Sequence, residues 1–178
     1  MTETAAYKIH VQQASEVAKL LPVASGELAR YAFAVNKIEN RSLNEKAKNT
    51  GGSSARGMMQ MLLGTQKELE TKYLKLPHNP NKIYNPEYAI FLGQYELARQ
   101  FKRYGGNWRK AIHAYNRGSY QANKSNTKGF ASGENYANSV LSTVQRTDYA
   151  ALNTAVGYDV VAANTSGNSR TFIRQEWT

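Results

Sequence analysis

The chain is predicted to be all-α, and three observations carry that prediction. Apolar residues recur at helical spacing in one stretch after another. Caps and stops punctuate those stretches, the clearest being Asn85-Pro86-Glu87 and Gly105-Gly106. No stretch of the body alternates apolar and polar residues as a half-buried strand does. The length, 178 residues, suits one domain with a substantial core.

The elements follow in order. Residues 3 to 21 read as an amphipathic helix, with Val11, Ala14, Val17, Ala18 and Leu21 on one face. Ser25 is placed to cap a second helix that ends at Glu39, with Glu27 favourably set in its first turn. Gly57 is expected to open the next helix, turning Met58, Met61 or Leu62, Thr65 and Leu69 inward. After the Asn85-Pro86 cap comes the stripe Ile90, Gly93, Leu97, Phe101 and Tyr104. Asn107 can cap a helix with Trp108, Ala111, Ile112 and Tyr115 on one face. Ser132 can start another, with Tyr136, Val140 and Val144 inward. Beyond about residue 149 the sequence turns linker-like, through Asn153-Thr154-Ala155-Val156-Gly157 and a run of small polar residues. It closes on Phe172, Ile173 and Trp177, bulky enough to suggest docking on something.

Composition narrows the classes. The chain carries 23 Lys and Arg against 13 Asp and Glu, a net charge of +10. That excess favours anionic partners, among them nucleic acid, lipid headgroups or a bacterial envelope rich in phosphate and carboxylate. The alternative is a merely solubilising surface. The basic residues are dispersed, from Lys67 to Lys124, with no block that reads as a nucleic-acid arm, so nucleic acid is not the expected partner. No apolar run is long enough for a transmembrane segment. The first ten residues lack the basic start and apolar stretch of a secretory signal. With zero cysteines, disulfides and Cys-ligated metal are excluded. His10, His78 and His113 lack metal-ligand spacing, and His113 reads as a helix-surface residue; no cofactor is expected.

Glu39 is the most informative position. It lies four residues after Val35 and seven after Ala32, on the edge of the apolar stripe. A carboxyl held against apolar neighbours keeps its proton longer and can act as a general acid near neutral pH. Downstream come Ala55-Arg56-Gly57-Met58-Met59-Gln60, then Ala114-Tyr115-Asn116-Arg117-Gly118, then Asn135-Tyr136.

In this order the segments resemble the soluble lytic transglycosylases, lysozyme-like enzymes that cleave the glycan strand of peptidoglycan. The family pattern is Glu-Ser at a helix end, a Gly-Leu-Met-Gln turn, Ala-Tyr-Asn-Ala-Gly, and a later Tyr. The likeness covers about residues 25 to 146. It implies a helical catalytic domain over 25–148, an N-terminal helix over 1–24 packed on it, and a C-terminal extension or docking tail over 149–178.

The resemblance also implies a chemistry. A single Glu, here Glu39, protonates the leaving oxygen and then deprotonates the sugar's own 6-hydroxyl, giving a 1,6-anhydro-muramyl end. Ordinary glycosidases need a second carboxylate; here the only acid between residues 40 and 60 is Glu45, read as a surface charge. By the same likeness Met59 lines the floor of the glycan groove and Gln60 bonds backbone or sugar. Asn116 contacts the N-acetylated sugar beside the scissile bond, next to Tyr115, and Tyr136 bonds the catalytic carboxyl. Tyr115 and Tyr136 read equally well as core residues, and Asn116 as a helix cap. Ser53 is the best match to a groove serine, in a loop over 49–54 that is longer than the pattern.

Two departures stand out. Asn40 replaces the Ser after the Glu, and Arg117 replaces a small Ala, adding a cation at the groove rim that could meet peptide or lactyl carboxylates. Two close alternatives remain open on sequence alone: a hydrolytic goose-type lysozyme, and a non-catalytic basic module that binds glycan or builds a virion. A wall-degrading enzyme without a signal needs another route to its substrate. The expectation is therefore a bacteriophage protein, virion-associated or made in the host cytoplasm and delivered to the periplasm or cell wall, with other virion proteins as partners of the tail.

Overall fold

A computed structural model describes residues 1–120 and 127–158. Seven α-helices occur among them: α1 (Glu3–Ala18), α2 (Ser25–Glu39), α3 (Leu63–Glu68), α4 (Pro86–Arg103), α5 (Trp108–Arg117), α6 (Lys128–Arg146) and α7 (Tyr149–Val156). A π-helical turn over Leu69–Leu74 continues α3, and a 3-10 turn over Pro80–Tyr84 leads into α4. The only β pairing among the described residues is two isolated bridges, Lys48 with Arg56 and Arg56 with Met61.

α4 is the hub. Its residues Tyr88 to Tyr95 are buried without a break, and Leu97, Ala98 and Gln100 extend that burial. A helical segment buried on every side belongs inside a protein, and α4 packs against α1, α2 and α5. Asn85 starts it as the sequence predicts, its Oδ1 accepting from Tyr88 N at 2.8 Å ahead of Pro86. Gly105 and Gly106, both left-handed, follow its end. α2 presents the small residues Ala29, Ala32 and Ala34 beside Phe33 and Val35, all buried, so α1 can approach closely. Trp108 of α5 is sandwiched, its ring 4.4 Å from that of Tyr31 and 4.1 Å from that of Phe101.

Several boundaries differ from those read in the sequence. Ser25 is not the cap of α2: Ala24 holds that place and makes no side-chain cap bond. α6 starts at Lys128, capped by Thr127 Oγ1 accepting from Phe130 N at 3.3 Å, and so well before Ser132. Gly57 does not open a helix. Gly57 at φ +74° and Gln60 at φ +47° are left-handed, which a right-handed helix cannot accommodate. Residues 57 to 61 instead form a tight turn, closed by Gln60 N to Gly57 O and by the paired backbone of Arg56 and Met61. The helix begins only at Leu63.

The linker-like sequence after residue 148 is also helical. Asp148 caps α7 through Ala151 N at 3.0 Å, and Gly157 ends it in the left-handed conformation. Its composition is poor for an isolated helix, but tertiary bonds fix it in place. Tyr7 donates to Asn153 Oδ1 at 2.7 Å, and Tyr149 donates to the Arg30 carbonyl at 2.9 Å. Docking thus overrides propensity, as it commonly does. Phe172, Ile173 and Trp177 lie outside the described residues.

Candidate active site

Glu39 is the last residue of α2, half-buried, with Asn40 as the C-cap. The C-terminal end of a helix carries partial negative charge and does not welcome a carboxylate. Burial raises the proton affinity of Glu39 above the ordinary carboxylate value, and a hydrogen bond from Tyr136 opposes that rise without cancelling it. The Tyr136 hydroxyl reaches Glu39 Oε1 from α6 at 2.6 Å. Burial, followed by the nearby Glu39 charge, pushes the Tyr136 phenol well above its usual range, so it stays a donor.

Asn40 has structural work where the family pattern has Ser. Its Nδ2 donates to Asn44 O at 2.7 Å, and its Oδ1 accepts from Ser42 Oγ at 3.1 Å and Asn44 N at 3.2 Å. The larger amide thereby staples the loop that leaves α2.

A cleft of about 370 Å³ opens beside Glu39. Ser53, Gln60, Tyr115 and Asn116 all line it, as do Met61, Thr65 and Arg117. Gln60 is aimed by its left-handed backbone, with Nε2 donating to Gly57 O at 3.0 Å and to Ala47 O at 3.4 Å. Tyr115 donates to the Met59 carbonyl at 2.9 Å, tying α5 to the turn. Burial, and after it the charges of Glu39 and Glu96, hold its phenol protonated. Asn116 is exposed in the last turn of α5. Ser53 is exposed on the loop, its Oγ accepting from Ala55 N at 3.2 Å.

Met59 is placed differently from the expectation. Its side chain is fully buried and packs on Gly93 of α4, where an added Cβ would come within 2.6 Å of Met59 Cγ. It sits behind the cleft, and Met61 takes the place on the wall. A bulky apolar side chain next to a glycine of the central helix fills the core, and the turn faces Met61 the other way. His113 is likewise no surface residue: it is fully buried, with Nδ1 against Glu134 Oε1 at 2.9 Å.

A hydrogen-bonded relay supports the site from behind. Gln94 Nε2 donates to His10 Nδ1 at 3.0 Å, His10 Nε2 meets Asn36 Oδ1 at 3.1 Å, and Asn36 Nδ2 donates to Met58 O at 2.6 Å. The partners require Nε2 to carry the proton of a neutral imidazole. The relay joins α4, α1, α2 and the turn that presents Gln60, one helical turn before Glu39.

One cleft residue is missed by the sequence reading. Glu96 of α4 lines the wall, so the second carboxylate of the site comes from the central helix and not from Glu45. No local signal marks it, since α4 also carries Glu87, Gln94, Arg99, Gln100, Lys102 and Arg103. Among the described residues, no group of three or more His, Asp or Glu could hold a metal ion. No described helix is long and apolar enough to cross a membrane.

A Glu of raised proton affinity beside a cleft, in a mainly helical domain, is the arrangement a lysozyme-like glycan-cleaving enzyme would use. Residues 24–138 match the Transglycosylase SLT domain family, most of the chain, and the protein belongs to that family. It is therefore an enzyme of the lytic transglycosylase type, and its substrate is peptidoglycan.

Proposed function

We propose that Glu39 alone serves as acid and then base in cleaving the β-1,4 bond between N-acetylmuramic acid and N-acetylglucosamine. The Glu39 carboxyl gives its proton to the leaving oxygen as the anomeric C–O bond breaks. The resulting carboxylate takes the proton of the muramyl 6-hydroxyl, whose oxygen bonds the anomeric carbon. Glu39 is restored, no water is consumed, and the product ends in a 1,6-anhydro ring. The observation that supports this most is the protonated-leaning Glu39 held by Tyr136 beside the cleft. Under this mechanism Glu96, paired with Arg99 and Gln100, takes no part in the proton transfer. In this reading Asn116 holds the acetamido group, Gln60 and Ser53 contact the strand, and Arg117 meets lactyl or peptide carboxylates.

Digestion of purified sacculi and then mass spectrometry of the muropeptides tests the mechanism. Anhydro-muramyl ends are expected. Borohydride-reducible ends alone would move the enzyme to the hydrolytic goose-type lysozyme reading.

We also propose a phage role, in which Phe172, Ile173 and Trp177 dock the enzyme on other virion proteins for delivery to the wall. What supports it is the apolar cluster in a small, polar stretch of sequence. Full-length chain found in purified particles, with a chain ending at Tyr158 left out of them, is the expected result. Equal incorporation of both would dismiss it.

A further inference from the structure

We propose that Glu96 is a substrate-recognition residue, a fixed carboxylate that accepts hydrogen bonds from hydroxyl or acetamide N–H groups of a glycan sugar away from the bond that Glu39 cleaves. The inference rests on the transglycosylase reading only for the identity of the glycan.

Glu96 shares the cleft wall with Tyr115 and Asn116, and its side chain keeps 13% of its exposure. A carboxylate so far out of water must be held by donors, and two are present. Arg99 Nη1 meets Oε2 at 2.5 Å and Gln100 Nε2 meets Oε1 at 2.7 Å. Arg99 is itself fixed, its guanidinium 3.6 Å from the centre of the Tyr73 ring. The carboxylate therefore has one orientation before any substrate arrives. Each oxygen has further lone-pair capacity beyond the single bond it accepts from these two residues. Two adjacent acceptors in one plane suit a pair of sugar donors, and preorganisation lowers the cost of binding them.

The chemistry of the partner follows from the charge. Arg99 already offsets the negative charge, so a neutral donor is favoured over an amine. Proton transfer is a poor role for the same group. The proton affinity of Glu39 answers to burial and to Tyr136, not to Glu96, whereas Tyr115 feels both carboxylates. An i,i+3 ion pair on an open helix face would be ordinary, but this one borders the cleft of a glycan-cleaving enzyme.

The test uses tetra-N-acetylchitotetraose, titrated calorimetrically into the full-length wild type, Glu96→Ala and Glu96→Gln, with steady-state kinetics on soluble glycan strands beside it. Glu96→Ala is expected to weaken tetrasaccharide binding and raise KM, each by about tenfold, the worth of one charged hydrogen bond. Its kcat and pH profile should stay as in the wild type. Glu96→Gln keeps the packing and one acceptor oxygen, so it should fall between. Unchanged affinity in both folded variants would overturn the proposal. So would a lost kcat with a displaced pH profile, which would place Glu96 in the proton chemistry. A wild type that binds the tetrasaccharide through Glu96 yet leaves sacculi intact would fail the transglycosylase reading and keep this one.

Discussion

The Tyr136 hydroxyl donates to Glu39 Oε1 at 2.6 Å across 97 residues of chain. Two influences therefore compete at the carboxyl: burial favours the acid form, and the phenol favours the anion. Tyr136→Phe removes only the second. The proton affinity of Glu39 then rises further, and the acid form persists to higher pH. The alkaline limb of the kcat/KM profile should move upward while the maximal rate falls ten- to a hundred-fold, roughly the worth of one positioning bond. A limb that stays in place would show that this bond does not tune the acid.

The His10 imidazole is held neutral by burial, its proton affinity lowered from 6.5 to about 4. Between those values the unfolded chain binds a proton that the folded chain does not. Stability should therefore fall as pH drops through that window, by up to about 3 kcal/mol at its lower end. Protonation also sets an N–H of His10 against the Gln94 amide donor. Melting temperatures from pH 7 to pH 4 check this, with His10→Gln expected to flatten that part of the acid-side fall.

Gly57→Ala should damage fold and site together. At φ +74° a side chain is strained, and the added Cβ would collide with the Ile83 carbonyl. A loss of about 3 kcal/mol is expected in denaturant unfolding. Activity should fall as well, because the same turn aims Gln60 into the cleft.

Truncation separates the contribution of α7 from that of the residues beyond it. A chain ending at Tyr158 should cleave glycan and melt like the full-length protein. One ending at Arg146 loses the Tyr7–Asn153 and Tyr149–Arg30 bonds and should melt about 5–10 °C lower. Equal melting of the two would mean that α7 contributes nothing to the body.

The legible and illegible parts of this chain divide along physical lines. Asn85-Pro86, Asn107 and Gly105-Gly106 are local signals with local causes, and the helix boundaries they mark are close to those observed. Ser25 misleads because a serine in the first turn of a helix need not cap it, and Ser132 because a serine inside a helix reads like one that starts it. Gly57 misleads because the turn depends on pairing with residues 47 and 61, which no local pattern displays. At the site, motif order alone brings Glu39, Gln60, Tyr115, Asn116 and Tyr136 together. Met59 is misplaced because a methionine reads alike facing core or cleft, and only Gly93 on a distant helix decides. Glu96 goes unseen for the opposite reason: its importance comes from where α4 sits, not from any neighbour in sequence.

Clearance of purified sacculi by Glu39→Gln bears on the role of Glu39 more directly than any other assay. The amide preserves size and a contact to Tyr136 but cannot donate an acidic proton, and a general acid is typically worth about 10²- to 10⁴-fold in rate. The variant should fold and, because a buried carboxylate has been removed, melt no lower than the wild type at neutral pH. It should release essentially no muropeptides. Clearance near the wild-type rate by that folded variant would contradict the assignment of Glu39 as the acid.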